Sequence, residues 1–551
     1  MAKAEPASSA AGAAAGAAFD YIIVGAGSAG CVLAERLSQD PAIRVLVLEA
    51  GDAEQSPFVP MPMGVGKTLT DPRMTWVYAT EPDAGNANQP AYWLRGKGLG
   101  GSSSINGMIY CRGHPDDYNE WAESGCTGWG WDDMAPIFRR MEDYALGPGR
   151  KRGVGGPLHV SIQPYRTPLT EAVLDAADDL GVPRLEDVND TDDEGIGYTP
   201  VTIRKGRRVS ARDAFLRRAE ARPNLTIVTG ALVSRVIFED RRAVGVACVA
   251  DGGETIYPAR GEVILCAGAL VSPLILMRSG IGAEAHLREH GIPVLQDSPG
   301  VGKHMREHKI VTVQMRLTGP HSHNVELSGW RLLWNAARYY LSKTGPLAST
   351  YDINGFIKTR PELSRPDAQV TFWSLTLDPN AQSMALEREP GMLMMGYPCR
   401  STSEGAVRLR SVDPADPPII ETNFLSTQHD REVLVAILGF ARRVFSHARV
   451  APFVKHEISP GTDVQQESEI LEAIRRDGTC LHATGTCSMG NAEDAVLDER
   501  LRVKGVTGLR VMDCSILPTQ VSGNPNGVVM GMAWRASELI LEDSLTRSNA
   551  A

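Results

Sequence analysis

The chain has 551 residues, of which 43% are hydrophobic, 22% charged and 6% aromatic, a balance that excludes disordered, collagen-like and disulfide-scaffold proteins. A compact chain of this size buries roughly three quarters of its unfolded surface, which is large for one core, so two domains are expected. Its 56 Lys and Arg against 66 Asp and Glu give a net charge of −10, which repels phosphate backbones and anionic lipid and argues against nucleic-acid or membrane-surface partners. The nine cysteines are scattered and odd in number, without the close-set pairs of a zinc ribbon; they indicate free thiols in a reducing compartment, and a cytoplasmic location is expected. Residues 1–18, rich in Ala, Gly and Ser, read as an unstructured tail rather than an export signal or a membrane span.

In chain order, the first element with chemical content is a short apolar strand, Phe19–Val24, which runs into Gly25-Ala26-Gly27-Ser28-Ala29-Gly30 and a helical stretch through Leu37. The first glycine permits the turn, the second lets backbone approach a pyrophosphate, and the third lets the helix lie close on the strand. The helix N-terminus then supplies N–H donors and positive dipole. A second strand, residues 44–48, ends in Glu49, 19 residues beyond Gly30, where a carboxylate can bind both ribose hydroxyls and repels a 2′-phosphate. This block predicts an adenine dinucleotide site that either FAD or NAD satisfies.

Further on, Arg95-Gly96-Lys97-Gly98-Leu99-Gly100-Gly101-Ser102-Ser103-Ser104-Ile105-Asn106-Gly107-Met108 carries little side-chain bulk, and such backbone can press against a flat ligand. Here the sequence resembles the glucose-methanol-choline (GMC) oxidoreductases, which bind FAD, and in type the bacterial FAD-dependent alcohol dehydrogenases and oxidases among them. The match continues in residues 268–273 and 279–282, in Pro299-Gly300-Val301-Gly302, and in the last third of the chain. The resemblance implies that Gly25, Gly27, Gly30 and Glu49 hold the ADP half of FAD. It implies that Gly100, Gly101, Ser102 and Asn106 lie along the ribityl chain and flavin edge, and that the backbone of Val233 meets adenine. Some relatives attach the flavin through a histidine in the 95–108 stretch; none occurs here, so FAD is expected to be noncovalent.

Short apolar strands alternate with amphipathic segments in residues 19–50, 225–270 and 495–541, the pattern of a doubly wound sheet. The expected fold is α/β. A discontinuous Rossmann-like FAD-binding domain takes residues 19–154, 205–310 and 480–545. An α+β substrate domain takes 155–204 and 311–479, and its antiparallel sheet roofs the flavin, as in the GMC fold. Aromatic and methionine side chains of that region, including Trp330, Trp334, Tyr340, Tyr351, Trp373 and Met395, supply core and a few pocket residues.

Three motifs read as structural. His304-Met305-Arg306-Glu307-His308 has the H-x-x-E-H spacing of a zinc peptidase, but follows the Pro299–Gly302 block, where relatives carry a similar structural segment; no metal site is expected. The acidic run 187–194 lacks the glycine and final glutamate of a calcium loop and reads as a solvated loop. Arg204-Lys205-Gly206-Arg207-Arg208 reads as a surface feature preceding the capping-box start Ser210-Ala211-Arg212-Asp213.

The catalytic expectations lie near the C-terminus. Cys480-Leu481-His482-Ala483-Thr484-Gly485-Thr486-Cys487-Ser488-Met489-Gly490 resembles the family's H-x-x-G-T-x-x-M-G segment, which makes His482 the expected base: alcohol oxidation removes a hydroxyl proton as hydride leaves the adjacent carbon, and an imidazole suits that transfer. By the same resemblance Asp513 contacts FAD, and Asn524 holds the hydroxyl and the developing alkoxide. Asn526, with the N-terminal amides of the helix that follows, sits by the flavin pyrimidine ring. The expected reaction is FAD-dependent oxidation of a primary alcohol, aryl or medium aliphatic, to the aldehyde by hydride transfer to the flavin. Oxygen or another acceptor then takes the electrons. The same scaffold also hosts a hydroxynitrile lyase and a light-driven fatty-acid decarboxylase, which remain the alternatives. The oligomeric state, homo-oligomer included, is left open.

Overall fold

A computed structural model describes residues 16–53, 56–250, 253–378 and 385–550; most of the expected tail, residues 1–15, lies outside them. Two near-continuous apolar runs open the fold: β1 (Phe19–Val24) and β2 (Val45–Glu49), joined by α1 (Ser28–Leu37). They pair in parallel, Tyr21 opposite Val45. Five consecutive buried residues in β2 are what a strand covered on both faces requires. β3 (Leu225–Thr229), β4 (Leu232–Glu239), β5 (Arg242–Ala250) and β6 (Gly253–Leu265) complete the order β3-β2-β1-β6-β5-β4. The first half of β6 pairs antiparallel with β5, while its second half runs parallel to β1.

The second sheet has seven strands and is antiparallel except at one edge. It contains β7 (Val311–Leu317), then, beyond the helix α2 (Gly329–Ser342), β8 (Ile353–Ile357), β9 (Ala368–Trp373) and β10 (Gly391–Pro398). The helix α3 (Gln428–Ser446) packs on β7 and β10, and β11 (Val454–Ser459) forms one edge. Gly195–Tyr198 and Arg184–Leu185 form the other. The chain then returns to the first sheet through β12 (Leu509–Val511), parallel to β6, and ends in α4 (Pro525–Ala550), which packs on α1.

One apolar core runs through both sheets, from Ile22 and Ile264 to Val370 and Phe372. The C-terminal ends of β1, β2 and β6 deliver Val24, Glu49 and Cys266 to a cavity of about 910 Å³. An open parallel sheet places its ligand at that edge. The antiparallel sheet closes the far side with Thr312, Gln314, Trp373, Leu393 and Met395.

Two expectations about loops need correction. The run 187–194 is not fully solvated: Asp187 is buried in an ion pair with Arg152 at 2.9 Å, and Asn189 is buried with its amide on the Tyr110 carbonyl. Arg208 is no surface residue either. Lys205 and Arg207 are exposed, but Arg208 is buried and donates to the Val59, Ser103 and Asn106 carbonyls and to Asn106 Oδ1. Four acceptors in one small volume demand a fixed, planar donor, which only arginine supplies.

Candidate active site

The cavity wall gathers Glu49, Ala231, Leu232 and Val233, the glycine-rich stretches with Gly25, Gly27, Gly101 and Ser102, and the polar set Asn106, His482, Asn524 and Asn526. Gly25 has φ of +102°, a turn that disfavours any side chain. A Cβ on Gly30 would lie 1.9 Å from the Gly25 carbonyl oxygen, so α1 approaches β1 only with glycine there. Gly27 precedes α1 and no side chain caps the helix, leaving its first N–H groups open toward the cavity. Gly30 and Gly100 are absent from the cavity wall. Gly30 lies behind it at the helix–strand contact, and Gly100, with φ of +94°, ties the two glycine loops by donating to the Ala26 carbonyl at 2.8 Å.

Glu49 reaches the cavity wall with both oxygens engaged: Oε2 accepts from Ala26 N–H at 2.8 Å, and Oε1 from Gly51 and Gly98 N–H at 2.9 and 3.0 Å. Oε1 is filled by its two N–H donors, and Oε2 retains acceptor capacity for a ribose hydroxyl. Ser102 Oγ accepts from Gly96 N–H, and Asn106 Oδ1 from Met108 N–H and Arg208. Asp513 is buried and takes Gly268 N–H, the Ser272 hydroxyl and Ser515 N–H. Asn526, in the first turn of α4, accepts from Ser28 Oγ at 2.7 Å. A glycine-lined wall, the Glu49 carboxylate and the N-termini of α1 and α4 fit an adenine dinucleotide carrying a flavin. FAD held by these residues would supply a two-electron acceptor for hydride.

Around His482 the protein fixes its own protons. The short pairings Arg306 with Thr484 and Lys309 with Thr479 bring two segments together, and Glu307 clamps them by accepting from the backbone N–H of His308 at 2.8 Å and of His482 at 2.7 Å. His308 is fully buried and stacks on Tyr397, ring centroids 4.3 Å apart. Its Nε2 faces the Cys399 carbonyl at 3.3 Å, and its Nδ1 faces His482 Nδ1 at 2.9 Å. A carbonyl can only accept, so His308 Nε2 carries hydrogen. Burial pushes its pKa down to about 3, so the ring is neutral and Nδ1 presents a lone pair. His482 Nδ1 must then donate, and the lone pair of His482 is left on Nε2, toward the cavity.

Asn524 is oriented by the same logic. Tyr397 hydroxyl donates to Gln369 Oε1 at 2.5 Å; Gln369 Nε2 donates to Asn524 Oδ1 at 2.9 Å; Asn524 Nδ2 therefore faces His482 Nε2, at 3.3 Å. In this state Asn524 N–H donates to the His482 Nε2 lone pair, and both groups line the cavity. A hydroxyl that enters between them can accept from the amide and give its proton to the imidazole. Burial first, then His308 and Arg95, hold the His482 imidazole well below its ordinary pKa, so it rests unprotonated.

The sequence reading missed His308, Glu307, Gln369 and Tyr397 in this arrangement. His304 and His308 do not share a helix face. His304 has φ of +56° and sits between Glu404 and Asp494 at 2.8 and 2.7 Å, while His308 turns to His482. Of the aromatic set, Tyr351, Trp373 and Met395 reach the cavity. Trp330, Trp334 and Tyr340 are instead 73%, 66% and 62% exposed.

A two-sheet fold with a dinucleotide trough ending at a neutral imidazole and an oriented amide defines a nucleotide-dependent oxidoreductase. Comparison with known proteins narrows this. Profiles described as GMC oxidoreductase match residues 19–310 and 401–533. The chain is 39% identical over 533 residues to human mitochondrial choline dehydrogenase, covering 95% of this chain and 89% of that protein. It is 37% identical over 529 residues to the alcohol dehydrogenase [acceptor] of Pseudomonas putida, covering 95% and 96%. The crystal structure of pyridoxine 4-oxidase from Mesorbium loti superposes with a TM-score of 0.85 at 32% identity, over 94% of this chain and 98% of that one. The chain belongs to the GMC oxidoreductase family and is an FAD-dependent oxidoreductase.

Proposed function

We propose that the protein oxidises an uncharged primary alcohol with an aryl or medium aliphatic body to the aldehyde, His482 taking the hydroxyl proton and Asn524 holding the oxygen. The observation that carries this reading is the pairing of the His482 Nε2 lone pair with the Asn524 amide, 3.3 Å apart, on the wall of the cavity. His482 neutral at rest is the form a base needs, and the amide, which cannot accept a proton at neutral pH, steadies the alkoxide as it forms.

The substrate class follows from the surrounding wall, where Ile310, Tyr351, Trp373, Leu377, Leu393 and Met395 gather. Asp477, an acid on this wall, accepts from Thr312 N–H, and burial raises its pKa against the pull of Lys309. It is a poor fixed counter-charge for a quaternary ammonium. Choline is the second reading, favoured by the relatives and by the paired rings of Tyr351 and Trp373, centroids 4.3 Å apart, since aromatic faces attract cations. FAD is noncovalent in this proposal, which rests on the lack of histidine in residues 95–108; acid precipitation should release all flavin to the supernatant. A cytoplasmic location is supported by nine cysteines that are all free. Among the described residues no helix is long and apolar enough to cross a membrane.

The test is anaerobic mixing in the dark with benzyl alcohol, hexanol and choline, followed by air. Bleaching of the flavin absorbance by the first two supports the proposal, and return of colour on aeration assigns oxygen as an acceptor. Bleaching by choline alone refutes the substrate class. No bleaching by any alcohol refutes alcohol oxidation and leaves the lyase or photoenzyme alternatives.

A further inference from the structure

The exposed aromatic residues lie on one helix with its apolar side turned outward. In α2, Trp330, Leu333, Trp334 and Leu341 are 73%, 72%, 66% and 89% exposed, with Tyr340 and Ala337 between them in space. At 3.6 residues per turn these six fall within an arc of about 120°. The opposite side is already spoken for: Asn335 donates to Glu326, and Tyr339 donates to the Pro60 carbonyl and packs with Met61 and Leu347. The outward face is therefore not a core face awaiting a rearrangement.

Basic residues border it. Arg331 and Arg338 lie beside the apolar arc, Lys343 caps the helix, and Lys205 and Arg207 approach from the hairpin whose Gly206 abuts Lys343. No described carboxylate pairs with any of these five cations, and the helix itself contains no acid. The net charge of −10 is an average that this patch reverses locally.

We infer that α2 docks the protein on an anionic phospholipid surface, lying in the plane of the interface with its tryptophans and leucines among the acyl-chain ends and its cations at the headgroups. Trp and Leu on one side with Arg and Lys at the border is the composition of interfacial helices. A second copy fits the patch less well. Two such faces would bring like charges together, and a face about 21 Å long buries on the order of half the ~800 Å² per partner of a stable dimer. The docked helix would lie close to the substrate end, because Met63 packs both on the cluster beneath α2 and on the Trp373–Leu393 cluster of the cavity wall.

The FAD-loaded full chain is tested by vesicle flotation with phosphatidylcholine alone and with added phosphatidylglycerol. Variants Trp330→Ser/Leu333→Ser and Arg331→Ser/Arg338→Ser are taken through the same assay, with flavin absorbance and unfolding midpoint checking their fold. The wild type should float with the anionic vesicles, and the apolar pair of substitutions should abolish this. The basic pair should weaken it roughly 30-fold. Failure of the wild type to float, flotation of the apolar variant at the wild-type level, or equal binding to phosphatidylcholine alone each overturns the inference. A dimer in light scattering that the apolar variant dissolves, with no vesicle binding, overturns it in favour of a second copy.

Discussion

Replacing His308 with phenylalanine tests the proton register of the site. The ring stays, so the stack on Tyr397 is kept, but both nitrogens go. The Cys399 carbonyl loses its donor, and His482 Nδ1–H loses the acceptor 2.9 Å away. A buried donor without a partner costs about 1–3 kcal/mol. His482 reduces that cost by moving the hydrogen to Nε2, which sets it against the Asn524 amide 3.3 Å away and fills the lone pair that receives the substrate proton in the proposed reaction. The base-competent form is then depleted by at most that energy, a ceiling of roughly 5- to 150-fold in rate. Anaerobic stopped-flow should show flavin reduction slowed within that range while the substrate dissociation constant, which depends on Asn524 and the apolar wall, changes little. Nitrogen NMR of His482 should show hydrogen moving from Nδ1 to Nε2, and His308→Gln, whose amide oxygen can accept, should recover part of the rate. Reduction at the wild-type rate in a His308→Phe protein that keeps its flavin would refute the reasoning.

Other outcomes follow from the same geometry. His482→Ala should lower the flavin-reduction rate roughly 10²- to 10⁴-fold and leave FAD bound; an unchanged rate removes His482 from the reaction. Gly30→Ala puts a methyl group 1.9 Å from the Gly25 carbonyl oxygen, so the purified protein should lose most of its flavin absorbance, and a full complement of flavin would show that α1 can yield. Burial raises Glu307 to about 7 from an ordinary 4.5. The folded state therefore keeps a proton that the unfolded chain releases in that window. This group's contribution to stability is complete below about pH 4.5 and lost as pH rises through about 7, on the order of 3 kcal/mol. In Glu307→Gln the denaturation midpoint should fall less between about pH 5 and about pH 8 than in the wild type; equal falls would place the titration elsewhere.

The dinucleotide half was legible because its determinants are local. Buried strands, glycines where a side chain cannot fit and an acid at the next strand end all lie within the 31 residues from Phe19 to Glu49, whereas the antiparallel roof was implied by the family resemblance rather than by its strand runs. The network around His482 was not legible. His308 and His482 are 174 positions apart, and Gln369 and Asn524 are 155 apart, so only the fold brings them into contact. Arg208 was hidden by its neighbours: a basic run looks solvated, and nothing in Arg207-Arg208 says that the second turns inward to four carbonyl and amide oxygens. Trp330 and Trp334 failed as pocket residues for another reason. Periodicity gives a helix an apolar face without saying whether the body of the protein lies against it, and here Asn335 and Tyr339 made that contact instead.

The chain of donors that ends at His482 begins at the main-chain oxygen of Cys399. An amide oxygen neither gains nor loses a proton at any acidity the fold withstands, so solution conditions cannot rewrite the first link. The direction of every hydrogen downstream is inherited from where the backbone of one roof strand happens to end, and enzymes sharing this scaffold could invert their acid–base polarity by shifting that strand end alone.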